Sequence, residues 1–554
     1  MLNQDSKTRY RPSCLLIFPP VWEVSAPYLA GPALAAYLKS NGYPTTVIDA
    51  NQRFWSHFKD KEKASEIHRQ CREEAPHLPL NLDEAIAADW AATMDGDQFV
   101  KWIEQASLAS PLYKLLVRRF GGFWRVSNAN PESTLDYHDE YFSDISHSFK
   151  SLDSNDLRSY LLDNGNNDYR AFAHEQILPD IEDIEPSVLG ISIIAVNQVV
   201  PALAIAIEAR QAFPKLCIIL GGPWITQLYD KLASLKWLSD LRFLLCPYQG
   251  EAILLHVLEV VETGVNDQDL FAALSSTLCK AYAEPSRHHI PLAELPTPDF
   301  HDLNLSAYAE PGHLPLMASR GCYWARCTFC SYPLLEPKYE VRPDRALASD
   351  ISTLISKYGA EHIAFADPII STHLALNISC IITRDKLDTT WGGFARLDES
   401  FTTLALKTLS LSGCTVLHWG FETGSKPLQD LIQKHIDLDT SVRILKDAHS
   451  FGIHNRVLLM HGFPDETPYD IEETIAFLKA NSSFISSTCC SPLTIEKGTP
   501  LFNSLFSTCH SLPELHDLSL GFRLKPPNTN DQPSAYSIAI SQLLRLTSCI
   551  NIKH

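Results

Sequence analysis

The sequence predicts an α/β protein in which a flavodoxin-like (Rossmann-like) domain, interrupted by a helical insertion, precedes a partial (β/α)6 barrel. Two observations lead to this fold class. Short apolar strands alternate with helical segments on both sides of residues 53–180, and six more strand–helix units follow residue 305. Such units place successive strands parallel to one another. The predicted boundaries are 1–52 with 181–265 for the first domain, 53–180 for the insertion, 266–304 for a linker, 305–500 for the barrel and 501–554 for a C-terminal extension.

The first predicted sheet combines two groups of strands that are far apart in the chain. Strand 14–18 ends at a Pro-Pro pair, helix 31–40 ends at an Asn-Gly pair, and strand 45–49 is rich in threonine and aliphatic residues. Charged and aromatic segments of helical periodicity then interrupt the pattern. The pattern resumes with strands 187–194, 216–220 and 241–245 and with helices 199–213 and 252–262.

The barrel is predicted from a second alternation of strands and helices. Its strands are 314–318, 362–366, 390–395, 416–421, 456–460 and 485–490. Its helices are 345–358, 374–385, 400–412, 440–451 and 471–480. In barrels of this kind the active site lies at the C-terminal ends of the strands.

Composition argues against several classes of partner. The chain has 554 residues, 45% of them hydrophobic and 20% charged, as is ordinary for a globular protein. Its net charge of −19 and its lack of any Lys/Arg run argue against a nucleic-acid partner. No apolar run approaches the roughly 18 residues of a membrane span, and the N-terminal residues are too polar for a signal peptide. We therefore expect a cytoplasmic protein without a membrane partner, and 14 cysteines in the reduced form.

Three cysteines within nine residues form the most specific motif of the chain. Cys322, Cys327 and Cys330 follow the predicted strand 314–318. Thiolates are soft ligands, and three of them can hold an iron–sulfur cluster while leaving one iron open for a substrate or cofactor. A structural zinc site is one alternative, although it requires four ligands and no second cysteine pair lies nearby. Three unrelated buried thiols are the other alternative.

Polar residues and glycines follow the predicted barrel strands at the point where each strand ends. They are Asp367, Arg396, Glu422, Gly424, Ser425 and Gly462. Each one alone is also explained by a helix cap or a surface ion pair, because Asp, Ser and Glu favour the first turn of a helix. Their succession on consecutive strand ends after the three cysteines favours a binding site.

Glycines also mark the strands of the first predicted sheet. Gly221 and Gly222 follow one strand, Gly250 follows another, and Gly190 lies within a neighbouring strand. Glycine lets the backbone approach a ligand closely, at the edge where open α/β sheets bind. Turns also require glycine, so each position alone is weak support for a site.

The cysteine segment and the strand ends together resemble radical S-adenosylmethionine (SAM) enzymes over residues 300 to 500. Residues 422–425 read E-T-G-S, as in that family, whereas the spacing C-x4-C-x2-C has one residue more than the usual C-x3-C-x2-C. The resemblance implies that the three cysteines hold a [4Fe–4S] cluster whose fourth iron binds SAM. It further implies SAM contacts from Phe329, Asp367, Arg396, Glu422, Gly424, Ser425 and Gly462.

The N-terminal half resembles the cobalamin-binding domain that precedes the cluster domain in one class of these enzymes. The resemblance implies cobalamin contacts from Pro20, Val21, Trp22, Gly190, Ser192, Gly221, Gly222, Gly250 and Glu251. The D-x-H-x-x-G motif that supplies a lower-face histidine in other cobalamin proteins is absent, so Val21 and Trp22 are the candidates to lie beneath the ring. The alternative is a Rossmann-like domain that has lost cobalamin, since a fold alone does not establish a ligand.

The two resemblances together imply a radical methyltransferase. In that class, reductive cleavage of SAM gives a 5′-deoxyadenosyl radical that removes hydrogen from an unactivated carbon (or phosphorus) centre, and methylcobalamin supplies the methyl group. The implied partners are a small-molecule or peptide substrate and an external reductant such as flavodoxin or ferredoxin. Two alternatives stay open: a radical SAM cyclase or rearrangement enzyme, with or without cobalamin, and a non-catalytic iron–sulfur protein for electron transfer or sensing. The sequence identifies neither the substrate nor catalytic residues.

Overall fold

The structure is a computed structural model. It describes residues 11–73, 82–106, 112, 116, 153–162, 168–264, 267–508, 517–524 and 535–552. The predicted insertion and C-terminal extension therefore lie partly outside the described residues. Among the helices that are described, none combines the length and the apolar character needed to cross a membrane. The chain divides into two compact units, one containing most residues up to Ile290 and the other most residues from Gly312 onward.

The first unit is built on a five-stranded parallel sheet. Its strands are β1 (Cys14–Phe18), β2 (Thr45–Asp49), β3 (Val188–Ser192), β4 (Cys217–Gly221) and β5 (Phe243–Leu245). Their order across the sheet is β2-β1-β3-β4-β5, the flavodoxin-like order of doubly wound folds. The winding reverses between β1 and β3, and open sheets bind ligands at that point, beyond the C-terminal strand ends. The predicted fold class is thus confirmed.

Helices flank this sheet and fill the described part of the insertion. They are α1 (Ala30–Ser40), α2 (Ala50–His57), α3 (Lys61–Glu73), α4 (Leu82–Ala92), α5 (Gly96–Gln105), α6 (Ser154–Leu162), α7 (Asp168–Gln176), α8 (Leu178–Ile184), α9 (Val199–Ala212), α10 (Pro223–Gln227), α11 (Tyr229–Ser234), α12 (Lys236–Asp240), α13 (Glu251–Glu262) and α14 (Asp267–Ala283). Because both faces of a parallel sheet are covered by helices, its strands are continuous apolar runs, and all five residues of β1 are buried.

Helix α14 corrects the predicted linker. Residues 266–304 were predicted to connect two domains, but α14 forms 17 of them and packs into the core of the first unit. Leu274, Leu278 and Ala281 belong to the same buried cluster as Leu254 of α13. Their spacing of three and four residues is the period of a buried helix face.

The second unit is a curved sheet of six parallel strands that follow one another in chain order. They are β6 (His313–Leu316), β9 (His362–Ile370), β10 (Thr390–Ala395), β11 (Cys414–Glu422), β12 (His454–His461) and β13 (Ser487–Pro492). Two short antiparallel ribbons accompany it: β7 (Ser319–Arg320) with β8 (Glu340–Val341), and β14 (Ile495–Glu496) with β15 (Gly521–Phe522). The predicted strand 314–318 is therefore divided into β6 and the start of a ribbon.

Helices follow the barrel strands on one side of the sheet. They are α15 (Tyr332–Leu335), α16 (Asp344–Tyr358), α17 (Thr372–Asp385), α18 (Thr403–Leu411), α19 (Lys426–Ile432), α20 (Leu438–Ser450), α21 (Pro468–Asn481), α22 (Pro500–Thr508) and α23 (Ala535–Ile552). Trp419 of β11 packs edge-on against Phe401, and Asn455 of β12 donates a hydrogen bond of 2.7 Å to the Leu445 carbonyl group of α20. Because side chains alternate along a strand, the residues between these positions face the barrel interior.

Candidate active site

The cysteine loop begins and ends on one antiparallel ribbon. In that ribbon Arg320 of β7 pairs with Glu340 of β8, so residues 321–339 leave the barrel and return at the same place. Gly321 starts this loop with φ +82°, and a Cβ there would overlap the Lys338 carbonyl oxygen. Only glycine allows the two ends of the loop to approach so closely.

A buried carboxylate holds the strand that leads into the loop. Asp367 of β9 is fully buried and accepts hydrogen bonds from the Ala318 N–H (3.0 Å), the Ser319 N–H and the Ser319 hydroxyl group (2.5 Å). Burial raises the pKa of Asp367 to about 6. Asp367 positions the segment that carries the cysteines, and its contact with SAM stays a prediction.

Burial affects the protonation of two of the three loop cysteines, Cys327 and Cys330. Cys322, Cys327 and Cys330 are free thiols of intermediate exposure. Burial raises the pKa of Cys327 to about 12, while the nearby Lys434 ammonium group opposes that shift. Burial also raises the pKa of Cys330. Since a thiol must lose its proton to bind iron, loading this site releases protons.

Residues 431–435, which comprise the end of helix α19 and the three residues after it, form a platform that contacts the loop. Thr328 donates its N–H to the Ile432 carbonyl group (3.0 Å) and its hydroxyl group to the Leu431 carbonyl group (3.0 Å). The Trp324 indole donates to the Gln433 carbonyl group (3.1 Å). The sequence carried no signal for this platform, because the indole and hydroxyl contacts join residues more than 100 positions apart.

Arg396, another predicted SAM contact, braces the same loop. Its guanidinium group lies 3.8 Å from the Trp324 ring centroid, forms a 2.5 Å ion pair with Asp398 and donates to the Lys434 carbonyl group (3.1 Å). A cation over the face of a Trp ring is a favourable contact. Its Nε atom is buried and has no hydrogen-bond partner among the described residues. One donor of Arg396 is thus left for a ligand.

Glu422 forms a buried ion pair with Lys434. A β-bulge lies between Gly420 and Glu422, and Glu422 has φ +67°. Bulges at the rim of a barrel redirect side chains. The Glu422 carboxylate accepts a hydrogen bond from Lys434 Nζ, and the two side chains are only 9% and 10% exposed. A Cβ on Gly420 would overlap Lys434 Nζ, so this glycine provides room for the pair.

The next two predicted SAM contacts join strand β11 to helix α21. The Gly424 N–H donates to the Thr474 hydroxyl group (2.9 Å), and the Ser425 hydroxyl group donates to Asp470 (2.5 Å). Ser425 is fully buried. A Cβ on Gly424 would lie 2.8 Å from Thr474 Cα. In this structure both residues therefore serve the packing of a helix against a strand end.

The remaining predicted SAM contacts lie at the end of β12 and on the cysteine loop. Gly462 has φ +84°, and its N–H donates to Glu466 (2.5 Å), which also accepts a hydrogen bond from the Tyr536 hydroxyl group (2.6 Å). Burial raises the pKa of Glu466. Phe329 is partly buried against an apolar cluster that includes Phe463. This apolar cluster therefore holds Phe329, which lies between Cys327 and Cys330 in the sequence, in place.

In the first unit, side-chain amides hold the loop that follows β1. The Asn197 Nδ2 atom donates to the Val21 carbonyl group (2.8 Å), and the Trp22 N–H donates to the Asn51 amide oxygen (2.8 Å). Pro20 is buried, whereas Val21 and Trp22 are half-buried. This loop lies at the C-terminal end of β1, where the winding of the sheet reverses.

Two of the predicted cobalamin glycines have structural roles. Gly222 has φ +103°, and a Cβ there would overlap the Ile193 carbonyl oxygen. A Cβ on Gly190 would lie 2.8 Å from a methyl group of Leu16 in the neighbouring strand. Both positions require glycine for closure of the backbone or close packing of the sheet, with or without a ligand.

The other predicted cobalamin residues lie at the C-terminal edge of the sheet. Gly221 ends β4 opposite Ser192 of β3, and Gly250 directly precedes Glu251, the first residue of α13. A Cβ on Gly221 would come no nearer than 3.4 Å to another atom of those surrounding it, which is an ordinary contact. These positions lie where open sheets bind ligands.

Two buried polar atoms at this edge lack hydrogen-bond partners within the part of the chain that is described. They are Asn197 Oδ1, after β3, and Trp224 Nε1, after β4. Asn197 is 8% exposed and Trp224 is 1% exposed. An unsatisfied buried polar group costs about 1–3 kcal/mol, so native structures rarely leave one without a partner. An acceptor and a donor at this edge fit a ligand that bears amide groups, as the corrin ring of cobalamin does.

The donor set of the second unit fits an iron–sulfur cluster. No group of three or more His, Cys, Asp or Glu side chains in the described ranges is placed to hold a single metal ion. Besides burial, the nearby Cys330 and Cys322 also raise the pKa of Cys327, so the three cysteines lie near one another. In a four-iron cluster each cysteine binds a different iron, which requires a wider arrangement than one shared ion does.

Comparison with known families identifies this region. Residues 316–478 match the radical SAM superfamily. This segment contains the cysteine loop, Asp367, Arg396 and the Glu422–Lys434 pair. Residues 316–478 are therefore similar to the radical SAM domain, as the sequence motifs predicted, and such a domain implies a [4Fe–4S] cluster and SAM as cofactors.

Similar proteins extend the comparison beyond this domain. The chain is 26% identical over 313 residues to “Uncharacterized methyltransferase PH0819” of Pyrococcus horikoshii, covering 54% of this chain and 65% of that protein. The chain thus spans slightly less than two thirds of that relative.

Two solved structures are similar in fold. One is TsrM from Kitasatospora setae, a radical SAM methyltransferase with cobalamin and a [4Fe–4S] cluster bound (TM-score 0.54, 14% identity, 90% of this chain and 78% of that one). The other is OxsB, a cobalamin-dependent SAM radical enzyme with aqua-cobalamin and SAM bound (TM-score 0.56, 13% identity, 90% and 61%). At these identities the likeness shows a shared fold.

Proposed function

We propose that this protein methylates an unactivated carbon or phosphorus centre, using SAM-derived radical chemistry in the second unit and cobalamin held by the first. The observation that carries the proposal is the pairing, in one chain, of a three-thiol loop with a flavodoxin-like sheet whose ligand-binding edge has two unpaired buried polar atoms. The relative named as a methyltransferase and the two cobalamin-containing neighbours support the same reading.

The proposal assigns a task to each part of the chain. Residues 305–500 hold the cluster and SAM, and residues 1–52 with 181–265 hold cobalamin, with α14 completing the core of that domain. The insertion 53–180 and the extension 501–554 have no assigned task. A small molecule or peptide is the proposed substrate, and a flavodoxin or ferredoxin the proposed reductant. A reducing cytoplasm suits the free thiols that the cluster requires.

In the second unit the protein binds the cluster and SAM, orients them and supplies charged groups. A bound cluster and SAM supply the radical that starts the reaction. Cys322, Cys327 and Cys330 hold iron after losing their protons, and residues 431–435 keep their loop in place. Glu422 and Lys434 present a carboxylate and an ammonium group together, which matches the ammonium and carboxylate groups of the methionyl part of SAM.

In the first unit the protein holds cobalamin, the second cofactor. The histidine motif is missing, so it supplies no imidazole ligand. Bound cobalamin supplies the transferable methyl group. Val21 and Trp22 present apolar surface on the loop after β1, and Asn197 and Trp224 offer one acceptor and one donor at the same edge. The protein's role is to position this cofactor and keep water away from it.

Product analysis of anaerobically reconstituted protein tests the proposal. We expect 5′-deoxyadenosine when SAM and a reductant are added, and S-adenosylhomocysteine only when hydroxocobalamin is also present. Replacing each of Cys322, Cys327 and Cys330 by Ala should abolish 5′-deoxyadenosine and the cluster absorbance, because three thiolates are needed to hold the cluster. The exposed Cys380→Ala is the matched control and should behave as wild type.

Three results would contradict parts of the proposal. Deoxyadenosine without S-adenosylhomocysteine at any cobalamin concentration would favour a cyclase or rearrangement enzyme. An intact cluster that never cleaves SAM would favour electron transfer or sensing. One zinc ion per chain with no iron after anaerobic purification would exclude the cluster itself.

A further inference from the structure

One row of side chains crosses the interior face of three barrel strands. Phe394 of β10 is the register partner of His418 of β11, and His418 is the register partner of Arg456 of β12. The flanking residues Trp419 and Asn455 contact the helical layer on the opposite face of the sheet. Phe394, His418 and Arg456 therefore face the barrel interior side by side.

Arg456 is a cation without an anionic partner in the described ranges of the chain. Among the residues that the structure describes, Arg396 pairs with Asp398 and Lys434 pairs with Glu422, but no carboxylate lies within ion-pair distance of Arg456. Its Nε–H group is buried and donates a hydrogen bond to no acceptor in the described chain. A partly buried and uncompensated charge is costly, and it is retained where a ligand supplies the opposite charge.

The surroundings of Arg456 limit the charge of that ligand. Burial, together with the Arg456 charge, lowers the pKa of His418 to about 4, so the neighbouring imidazole is neutral and adds no second cation. A single guanidinium group with its planar fork of donors matches one carboxylate, whereas a phosphate dianion favours more than one cation. The row thus suits a group with one negative charge.

Apolar surface adjoins this cation on the same face. Phe394 is 40% exposed, which is unusual for a large aromatic side chain, and its ring centroid lies 4.8 Å from that of His418. Phe394 also precedes Arg396 by two residues, or about 7 Å along a strand. Phe394 therefore lies two residues further from the C-terminal strand end than Arg396, the side chain that braces the cysteine loop.

We propose that Arg456, His418 and Phe394 form the substrate subsite, in which Arg456 pairs with a carboxylate and Phe394 packs against a flat apolar group beside it. The substrate class is accordingly a small carboxylic acid with an aromatic or planar apolar part. This inference rests on the proposed function, because it assigns the substrate of that same active site. It does not depend on whether the reaction is methylation or rearrangement.

Binding of a matched pair of small probes tests the subsite. Isothermal titration of the full-length, cluster-reconstituted protein without SAM should show that phenylacetate binds more tightly than the neutral phenylacetamide. Arg456→Met should weaken phenylacetate binding at least tenfold and leave phenylacetamide unchanged, since one charge-assisted hydrogen bond is removed. Phe394→Ala should weaken both probes. The matched control is Arg384→Met, which removes an arginine that pairs with Asp385 on the exposed face of α17.

Each other outcome overturns the proposal. These outcomes are no binding of phenylacetate by wild-type protein at millimolar concentration, equal binding of acid and amide, or equal phenylacetate binding by wild type and Arg456→Met. A fall in melting temperature for Arg456→Met, but not for Arg384→Met, would instead assign Arg456 a structural role. Because binding is measured without turnover, these failures are separate from failure of the proposed function, which is judged from the products that wild-type protein forms from SAM.

Discussion

At the scale of single residues, the Glu422–Lys434 pair is the feature on which stability and ligand binding both depend. Its side chains are 9% and 10% exposed, so each charge is largely removed from water and relies on the other. Two charges buried together can be nearly neutral for stability, but removing one of them leaves an unpaired charge in a poorly solvated place. A variant that removes only one of the two charges would therefore change both the stability of the protein and its binding of a ligand.

A double-mutant cycle separates these effects. Glu422→Gln and Lys434→Met should each lower the free energy of unfolding by about 3–5 kcal/mol, whereas the double variant should recover most of that loss because no charge is left unpaired. If Glu422 also binds SAM, the double variant should be stable and yet bind SAM roughly 10- to 100-fold more weakly. Chemical denaturation and SAM titration measure the two quantities. Wild-type SAM affinity in the double variant would show that the pair is only structural.

At the scale of one element, the ribbon of β7 and β8 determines whether the three cysteines can meet. The ribbon has only two residues in each strand, and its closure depends on Gly321, whose φ is +82°. Asp367 fixes the same region from the barrel through Ala318 and Ser319. The geometry of the cysteine loop thus depends on residues outside the cysteine motif.

Replacing Gly321 tests this dependence while all three cysteines are kept. Gly321→Ala should reduce the iron bound per chain after reconstitution, because the added Cβ overlaps the Lys338 carbonyl oxygen and prevents closure of the ribbon. Gly359→Ala is the control, since Gly359 has φ +69° but open space around its Cβ. Both substitutions carry the penalty of roughly 1–2 kcal/mol for a left-handed backbone, and only the first carries the overlap. Equal iron content in the two variants would refute the role of the ribbon.

At the scale of the whole molecule, the sequence predicted the elements much better than the contacts between them. Strands β1, β2 and β10 have the predicted bounds, because apolar periodicity and β-branched runs are local signals. Helix α14 lies in the predicted linker although its period is regular, because its place in the core of the first unit depends on contacts with residues far away in the chain.

The candidate site shows the same limit. The cysteine motif and the strand ends were visible in the sequence, but Lys434 and residues 431–435 were not, because they meet the cysteine loop only through the fold. Asp367, Gly424 and Ser425 also make hydrogen bonds within the protein that the motif did not predict, and their contacts with SAM stay predictions.

Because each unit has its own sheet and core, cobalamin binding should not require the cluster. We expect one cobalamin per chain after incubation with hydroxocobalamin and desalting, both in wild type and in a variant with all three loop cysteines replaced by Ala. The Co(II) form should give a base-off electron paramagnetic resonance spectrum, because the chain lacks the histidine motif that would place an imidazole beneath the cobalt.

Gly222→Trp would be a poor test of the cobalamin site, since any side chain there overlaps the Ile193 carbonyl oxygen and disturbs the backbone itself. Trp224→Phe is more selective, because it removes a buried donor that has no partner in the described chain and keeps most of the packing. It should weaken cobalamin binding without lowering iron content, and wild-type protein that retains no cobalt would remove cobalamin from the mechanism.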